Sequence, residues 1–185
     1  MEQEIGEDFV PEVLPDLYEE IDGQVVEMPP MSNLANSVAS RLQIIMGHHT
    51  IRAKLGETLM EALVKLPAPI NRNRRPDLCF YSYNRWPKNK PVAGRQNGRD
   101  AVPDLAVEVI SPSDFAEDNH EKLVEYFQAG VLQVWVIYPQ LGLLYIYDSV
   151  VSARGYTKTD VIDGGTILPG FQFTLSELFP DEMPG

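Results

Sequence analysis

The sequence predicts an α/β domain built on a partly parallel sheet, and three observations carry that prediction. Asp22-Gly23 supplies the two left-handed positions of a tight hairpin turn between short strand-like runs from Tyr18 to Met28. A long amphipathic helix pattern begins just after Ser32. An apolar strand at Leu105–Ile110 is followed by a helix and then by a second apolar strand at Val131–Tyr138. That order requires a right-handed crossover, which makes the two strands parallel.

The elements follow in chain order. Residues 1–16 are acidic and proline-punctuated and read as a flexible tail; residues 17–180 form a single domain, and 181–185 a C-terminal tail. At 185 residues the chain has the length of one domain, with 44% apolar and 23% charged residues, both near globular averages. Pro29-Pro30 ends the hairpin. Ala35, Val38, Leu42, Ile45 and Met46 then recur at three- and four-residue spacing, predicting a helix capped by Ser32 or Asn33 and running to about His49. Strand composition returns at Thr58–Leu66 and at Asp77–Tyr83, separated by a proline-rich turn at Pro67–Pro69. Trp86–Arg99 reads as a long loop. Asp114 and Glu117 have capping-box spacing for a helix over Ala116–Ala129, which Gly130 terminates. Val131–Tyr138 and Leu143–Tyr147 are strands joined by a turn at Pro139–Gly142, and a Leu-Pro-Gly turn precedes a short helix at Leu175–Phe179.

Cys79 is the sole cysteine, so no internal disulfide or cysteine-based zinc site is expected. The first residues lack the basic and apolar regions of a signal peptide, and no apolar run reaches the ~20 residues of a membrane span. The expected location is cytoplasmic, without membrane contact. A net charge of −12 disfavours coating a polyanion by charge alone. Yet eight of the 15 basic residues lie between Arg72 and Arg99, with Asp77 the single acid among them. This segment is either an ordinary solvated loop or a phosphate-contacting stretch led by Arg72, Arg74 and Arg75.

Three acids stand where a strand wants an apolar residue: Glu27, Asp77 and Glu108. A buried ionised carboxylate without a partner costs several kcal/mol, so each needs a cation, a metal or nearby water. Glu108 lies within Leu-Ala-Val-Glu-Val-Ile, on the same face as Ala106 and Ile110. Asp77 opens its strand directly after Pro76. Hard oxygen ligands on neighbouring strands suit Mg²⁺ or Mn²⁺. The competing reading pairs Asp77 and Glu108 with Arg74, Arg75 or Lys122 as structural ion pairs. Lys122, early in the helix that leaves the Glu108 strand, can fold back over that strand's end, where a lysine orients a nucleophile or stabilises phosphorane-like charge.

Taken together, Tyr18-Glu-Glu-Ile-Asp-Gly-Gln-Val-Val-Glu-Met-Pro-Pro30, Arg75-Pro-Asp77, Val107-Glu-Val-Ile-Ser-Pro-Ser113, Lys122 with Tyr126, Ala129-Gly130, Val134-Trp135-Val136 and Leu168-Pro-Gly-Phe171 resemble the Uma-two family. That family is restriction-endonuclease-like and placed in the PD-(D/E)XK nuclease superfamily. The resemblance runs from about Leu17 to Phe179. It implies a restriction-endonuclease-like mixed sheet flanked by helices, a Mg²⁺-type site and a homodimer. Residue by residue, it implies Asp77 and Glu108 as metal ligands and Lys122 as the catalytic lysine, moved from strand to helix. Glu27 matches a position usually acidic in the family, as a further ligand or water acceptor; pairing with Arg41 is its alternative.

This chain departs from the pattern at two places. The superfamily's lysine position two residues after the glutamate is Ile110, and a histidine common early in the first helix is Asn36. Other candidates are weaker. His48 and His49 are adjacent at a helix end and cannot form an i, i+4 metal pair. Cys79 reads as core packing, His120 as an exposed helix-start residue, and Trp135 and Tyr145 as core or dimer interface. The expected function is a Mg²⁺- or Mn²⁺-dependent endonuclease hydrolysing DNA phosphodiester bonds. Its alternative is an inactive nuclease-fold dimer that binds nucleic acid or protein.

Overall fold

The computed structural model describes residues 14–90, 98–99 and 101–179. Its centre is a six-stranded sheet formed by β3 (Gly56–Met60), β6 (Leu78–Ser82), β7 (Leu105–Val109), β8 (Gln133–Tyr138), β9 (Leu143–Ser149) and β10 (Ser152–Tyr156). The spatial order is β10-β9-β8-β7-β6-β3. Only β7 and β8 run parallel, joined by the crossover helix α2 (Ala116–Ala129); the other pairs are antiparallel.

A second, smaller sheet has the order β2-β1-β5-β4, with β1 at Tyr18–Ile21, β2 at Gln24–Glu27, β4 at Val64–Lys65 and β5 at Asn73–Arg74. Its hairpin turns where expected, with Asp22 and Gly23 at φ 52° and 77°. The stretch expected as one strand from Thr58 to Leu66 is two. Glu61 takes a φ of 45° and donates its N–H to the Asp77 carbonyl, and the chain leaves the large sheet after β3 to enter the small one as β4.

Strand alternation divides the core. Leu78 and Phe80 of β6, with Leu105, Val107 and Val109 of β7, face α1 (Asn33–Arg52) and its buried Ala35, Val38, Leu42 and Met46. Cys79 and Tyr81, with Ala106, Val134 and Val136, face the opposite way and meet Leu123 and Tyr126 of α2. The Ser32 hydroxyl caps α1 by accepting from Ala35 N–H, and the helix runs three residues beyond His49, with the buried Thr50 hydroxyl donating to the Gly47 carbonyl. Trp135 is fully buried beside Phe171 and Phe173, its indole N–H donating to Gln133 at 2.7 Å, which settles it as core.

Helix α2 spans the expected residues and ends on Gly130 at φ 96°. Its capping box does not form. Phe115 occupies the N-cap without a side-chain bond, because the Asp114 carboxylate accepts from Ser111 N–H at 2.8 Å one turn earlier. A capping box stands instead at Thr174 and Glu177, on the short 3-10 turn Leu175–Leu178. Four strands went unread in the sequence: the two-residue β5, β10, whose first four residues are exposed, and the hairpin of β11 (Val161–Asp163) with β12 (Gln172–Thr174). Among the described residues no helix is long and apolar enough to cross a membrane.

Gly56 shows how tightly the β3 edge is packed. A Cβ there would collide with the Tyr81 carbonyl oxygen and lie 2.8 Å from Ser82 Cα. Gly56→Ala is expected to cost about 2 kcal/mol, within the range for overpacking, read as a lower urea midpoint at unchanged m-value.

Candidate active site

The site begins with the parity of β7. Because Leu105, Val107 and Val109 belong to the α1 side, Glu108 must point toward α2, where Lys122 and Tyr126 share one helical face at i, i+4 spacing. The register of β6 against β7 pairs Leu78 with Val107, and one more step sets Asp77 opposite Glu108. Asp77 lies immediately ahead of β6 rather than within it. The structure thus brings together Asp77, Glu108 and Lys122, three residues separated by up to 45 positions in the chain.

Each acid is held by one oxygen. Asp77 Oδ2 accepts from Val109 N–H at 2.6 Å, and Glu108 Oε1 accepts from the Tyr126 hydroxyl at 2.7 Å. Glu108 Oε2 lies 3.9 Å from Lys122 Nζ. Burial raises the Asp77 carboxyl to about 8, reinforced by the neighbouring Glu108 charge and opposed by Val109 N–H and Lys122. Burial likewise raises Glu108, against the pull of Lys122 and Tyr126. For Lys122, burial acts downward, but Glu108, Glu19 and Asp77 together raise it above an ordinary lysine.

Glu19, which the sequence reading did not single out, completes the arrangement. It is 1% exposed, accepts from Arg74 Nη1 and Arg75 N–H at 2.9 Å each, and forms an ion pair with Lys122 Nζ at 3.0 Å. Its carboxyl is lowered: burial opposes ionisation, and Lys122, Arg75 N–H and Arg74 overcome it. The signal for Glu19 was its alternation with Ile21 on one hairpin face. Tyr126 was visible only as the residue one turn after Lys122.

The arginines of the basic segment have internal partners. Arg74 is 3% exposed and bonds Glu19, Glu125 and Glu121. Arg72 bonds Asp22, Glu121 and Glu125. Arg75 is different: it donates to the carbonyls of Tyr18 and Glu61, stacks on the Tyr18 ring, and has no carboxylate side-chain partner among the described residues. Arg95 lies outside the described residues.

Glu27 is exposed and lines the same cleft as Glu19, Asp77, Glu108 and Lys122, a space of about 400 Å³. It does not pair with Arg41, whose guanidinium donates to the carbonyls of Phe179 and Glu177. Ile110 packs against the α2-side core. Cys79 is buried, and burial pushes its thiol up to about 12, so no thiolate nucleophile is available there. His49 bonds the Pro169 carbonyl and packs on Phe171.

The donor set fits a hard divalent cation. Lys122 is shared by Glu19 and Glu108, so Asp77 has no ion-pair partner among the described residues. Two adjacent carboxylates share one lysine, and a divalent cation between them would offset the burial and mutual repulsion that raise both carboxyls. Among the described residues no group of three or more His, Cys, Asp and Glu side chains is arranged for a metal. A cation here would rest on two carboxylates, with water and main-chain oxygens completing its shell, as Mg²⁺ commonly does.

A mixed sheet that offers two carboxylates and a lysine at one cleft, with helices on both faces, has the architecture of a nuclease fold. A crystal structure described as "a putative nuclease belonging to DUF820" from Anabaena variabilis ATCC 29413 shares it at a TM-score of 0.75, with 15% identity, 88% of this chain and 89% of that chain covered. The sequence model of the Uma2 family, described as "Putative restriction endonuclease", matches residues 12–176, and the chain belongs to that family. No curated protein matches it.

The ion network makes a stability prediction that separates Arg74 from a surface phosphate contact. Arg74→Ala leaves Glu19 and Glu125 buried without their main partner and is expected to cost about 3–5 kcal/mol in urea unfolding. A loss below about 1 kcal/mol would show that the network contributes little.

Proposed function

We propose that the protein is a metal-dependent endonuclease that hydrolyses phosphodiester bonds in DNA. The observation that carries this reading is the convergence of Asp77, Glu108 and Lys122 on one cleft, in a chain whose family is described as "Putative restriction endonuclease". Asp77 and Glu108 are the residues that would hold Mg²⁺ or Mn²⁺. Bound there, the ion supplies Lewis acidity at the phosphate and lowers the pKa of water.

The chain's own groups do the rest. Val109 N–H and the Tyr126 hydroxyl fix one oxygen of each carboxylate, which leaves the other oxygen to offer to a cation. Lys122 brings a fixed positive charge beside them, oriented to steady an attacking water and the charge that grows on the phosphate. Glu27, at the open rim, serves as a water acceptor rather than a buried ligand. For the nucleic-acid backbone, Arg75 is favoured over Arg72 and Arg74, whose guanidinium groups are already committed to acids.

A second reading, a nuclease-fold protein that binds without cutting, draws support from Ile110 and from the commitment of Arg72 and Arg74. Either reading accommodates a homodimer: Ile44 and Ile51, seven residues apart on α1, are both largely exposed. Light scattering on wild type and Ile44→Glu tests that interface, with dissociation expected for the variant.

With Mg²⁺ or Mn²⁺, the purified protein is expected to cut at least one of plasmid, branched or single-stranded DNA. Asp77→Ala and Glu108→Ala should abolish cutting. Lys122→Met should slow it about 10²-fold or more while leaving metal binding in place, consistent with loss of an electrostatic catalytic group. No cutting across the whole panel, or cutting that survives Asp77→Ala, would leave the binding-only reading.

A further inference from the structure

We propose that Glu19 is a positioning residue that holds Lys122 away from Glu108, keeping Glu108 Oε2 open to a divalent cation. The inference rests on the metal-dependent reading above and adds a residue that the family resemblance did not assign a role.

Lys122 Nζ stands between two carboxylates, 3.0 Å from Glu19 Oε1 and 3.9 Å from Glu108 Oε2. The longer distance is at the limit of an ion pair; the shorter is a direct bond. The two acids differ in how firmly they are fixed. Glu19 is locked by Arg75 N–H on one oxygen and Arg74 on the other, and Arg74 is itself held at 2.6 Å by Glu125. Glu108 is fixed on Oε1 alone, by Tyr126, so Oε2 is the oxygen it can offer. A lysine ammonium on a flexible stem goes to whichever acid is available, and attraction at this burial is strong. The acids acting on the ammonium are Glu19, Glu108 and Asp77, while Arg74 bonds the other oxygen of Glu19. With Glu19 neutralised, Glu108 is the nearest remaining carboxylate, and the ammonium would close the 3.9 Å gap. A lysine bonded to Oε2 and a metal bonded to Oε2 exclude one another. Glu19 touches neither, and acts through where it puts the lysine.

Mn²⁺ titration calorimetry on four proteins tests this: wild type, Glu19→Gln, Lys122→Met and the double variant. Glu19→Gln is expected to weaken Mn²⁺ binding about 10-fold or more, a typical effect of removing an outer-shell partner. The double variant should recover wild-type affinity, because the competing ammonium is gone; Lys122→Met alone should bind at least as tightly as wild type. A purely structural role for Glu19 predicts no recovery. Glu19→Gln binding as wild type does, or a double variant as weak as Glu19→Gln, overturns the proposal. If circular dichroism shows Glu19→Gln unfolded, Glu19→Asp takes its place, retaining the charge for Arg74 while drawing back from the lysine. A smaller loss relieved by Lys122→Met is then expected, and unchanged affinity overturns the proposal. Absence of Mn²⁺ binding by wild type would overturn the metal reading itself, a distinct outcome from normal binding that Glu19 does not influence.

Discussion

Glu108 is an ionisable residue in the middle of a strand that is buried along its whole length, and the organisation around the cleft follows from accommodating it. Ala106 and Val107 beside it are fully buried, and the strands on either side are buried except at their last residues. An isolated carboxylate there would carry a cost of several kcal/mol. The structure meets that cost with a hydroxyl from α2 on one oxygen and a lysine one turn earlier on the same helix near the other. Both come from the crossover that connects β7 to β8. The connection that makes the sheet parallel at this point is therefore also the element that makes a charged residue tolerable inside it.

The small sheet acquires a purpose from the same constraint. Its strands are short and two of them contain only two residues, so it adds little core of its own. What it contributes is Glu19 from β1 and Arg74 from β5, which reach α2 through Lys122, Glu121 and Glu125. Buried ion pairs rarely add net stability over apolar packing, because desolvation offsets most of the attraction. Their value here is geometric: they fix the rotation of α2 over the end of β7, and with it the distance between the lysine and the two acids.

Much of this was legible in the sequence. The hairpin, both helices and the parallel pair came from turn chemistry and periodicity, because Asp22-Gly23, the α1 stripe and Gly130 are local signals that tertiary packing reinforced. Asp77 and Glu108 stood out as candidates because acids in strand patterns are conspicuous, and Lys122 because it sits early in the helix that leaves the Glu108 strand. Glu19 did not, since a glutamate in a half-exposed hairpin looks solvent-facing until Arg74 and Lys122 arrive from elsewhere in the chain to bond it. The basic run from Arg72 to Arg99 could be read two ways for the same reason. A sequence shows the density of arginine but not its partners, and the acids that hold Arg72 and Arg74 come from β1, the hairpin turn and α2. β10 escaped because its exposed residues carry no apolar alternation, and β11 and β12 because they are three residues each.

Those committed arginines also bear on how an acidic protein would approach a polyanion. Arg85 bonds Asp104 and Arg99 bonds Glu57, so four described arginines of the basic run balance acids of the fold itself. Lys90 lies over the Trp86 ring, with Arg99 4.8 Å from the same ring. Segregation of charge along the sequence thus reflects, for these four arginines, counter-ions for acids of the fold, some buried and some exposed. Under the proposed function, net charge and the ion pairing of these described arginines oppose a broad cationic face toward DNA. Attraction is favoured instead where positive charge enters the acidic cleft, at Lys122, at Arg75 and at the cation that Asp77 and Glu108 would carry. Binding and chemistry would then depend on the same few groups, with metal loading the condition for both.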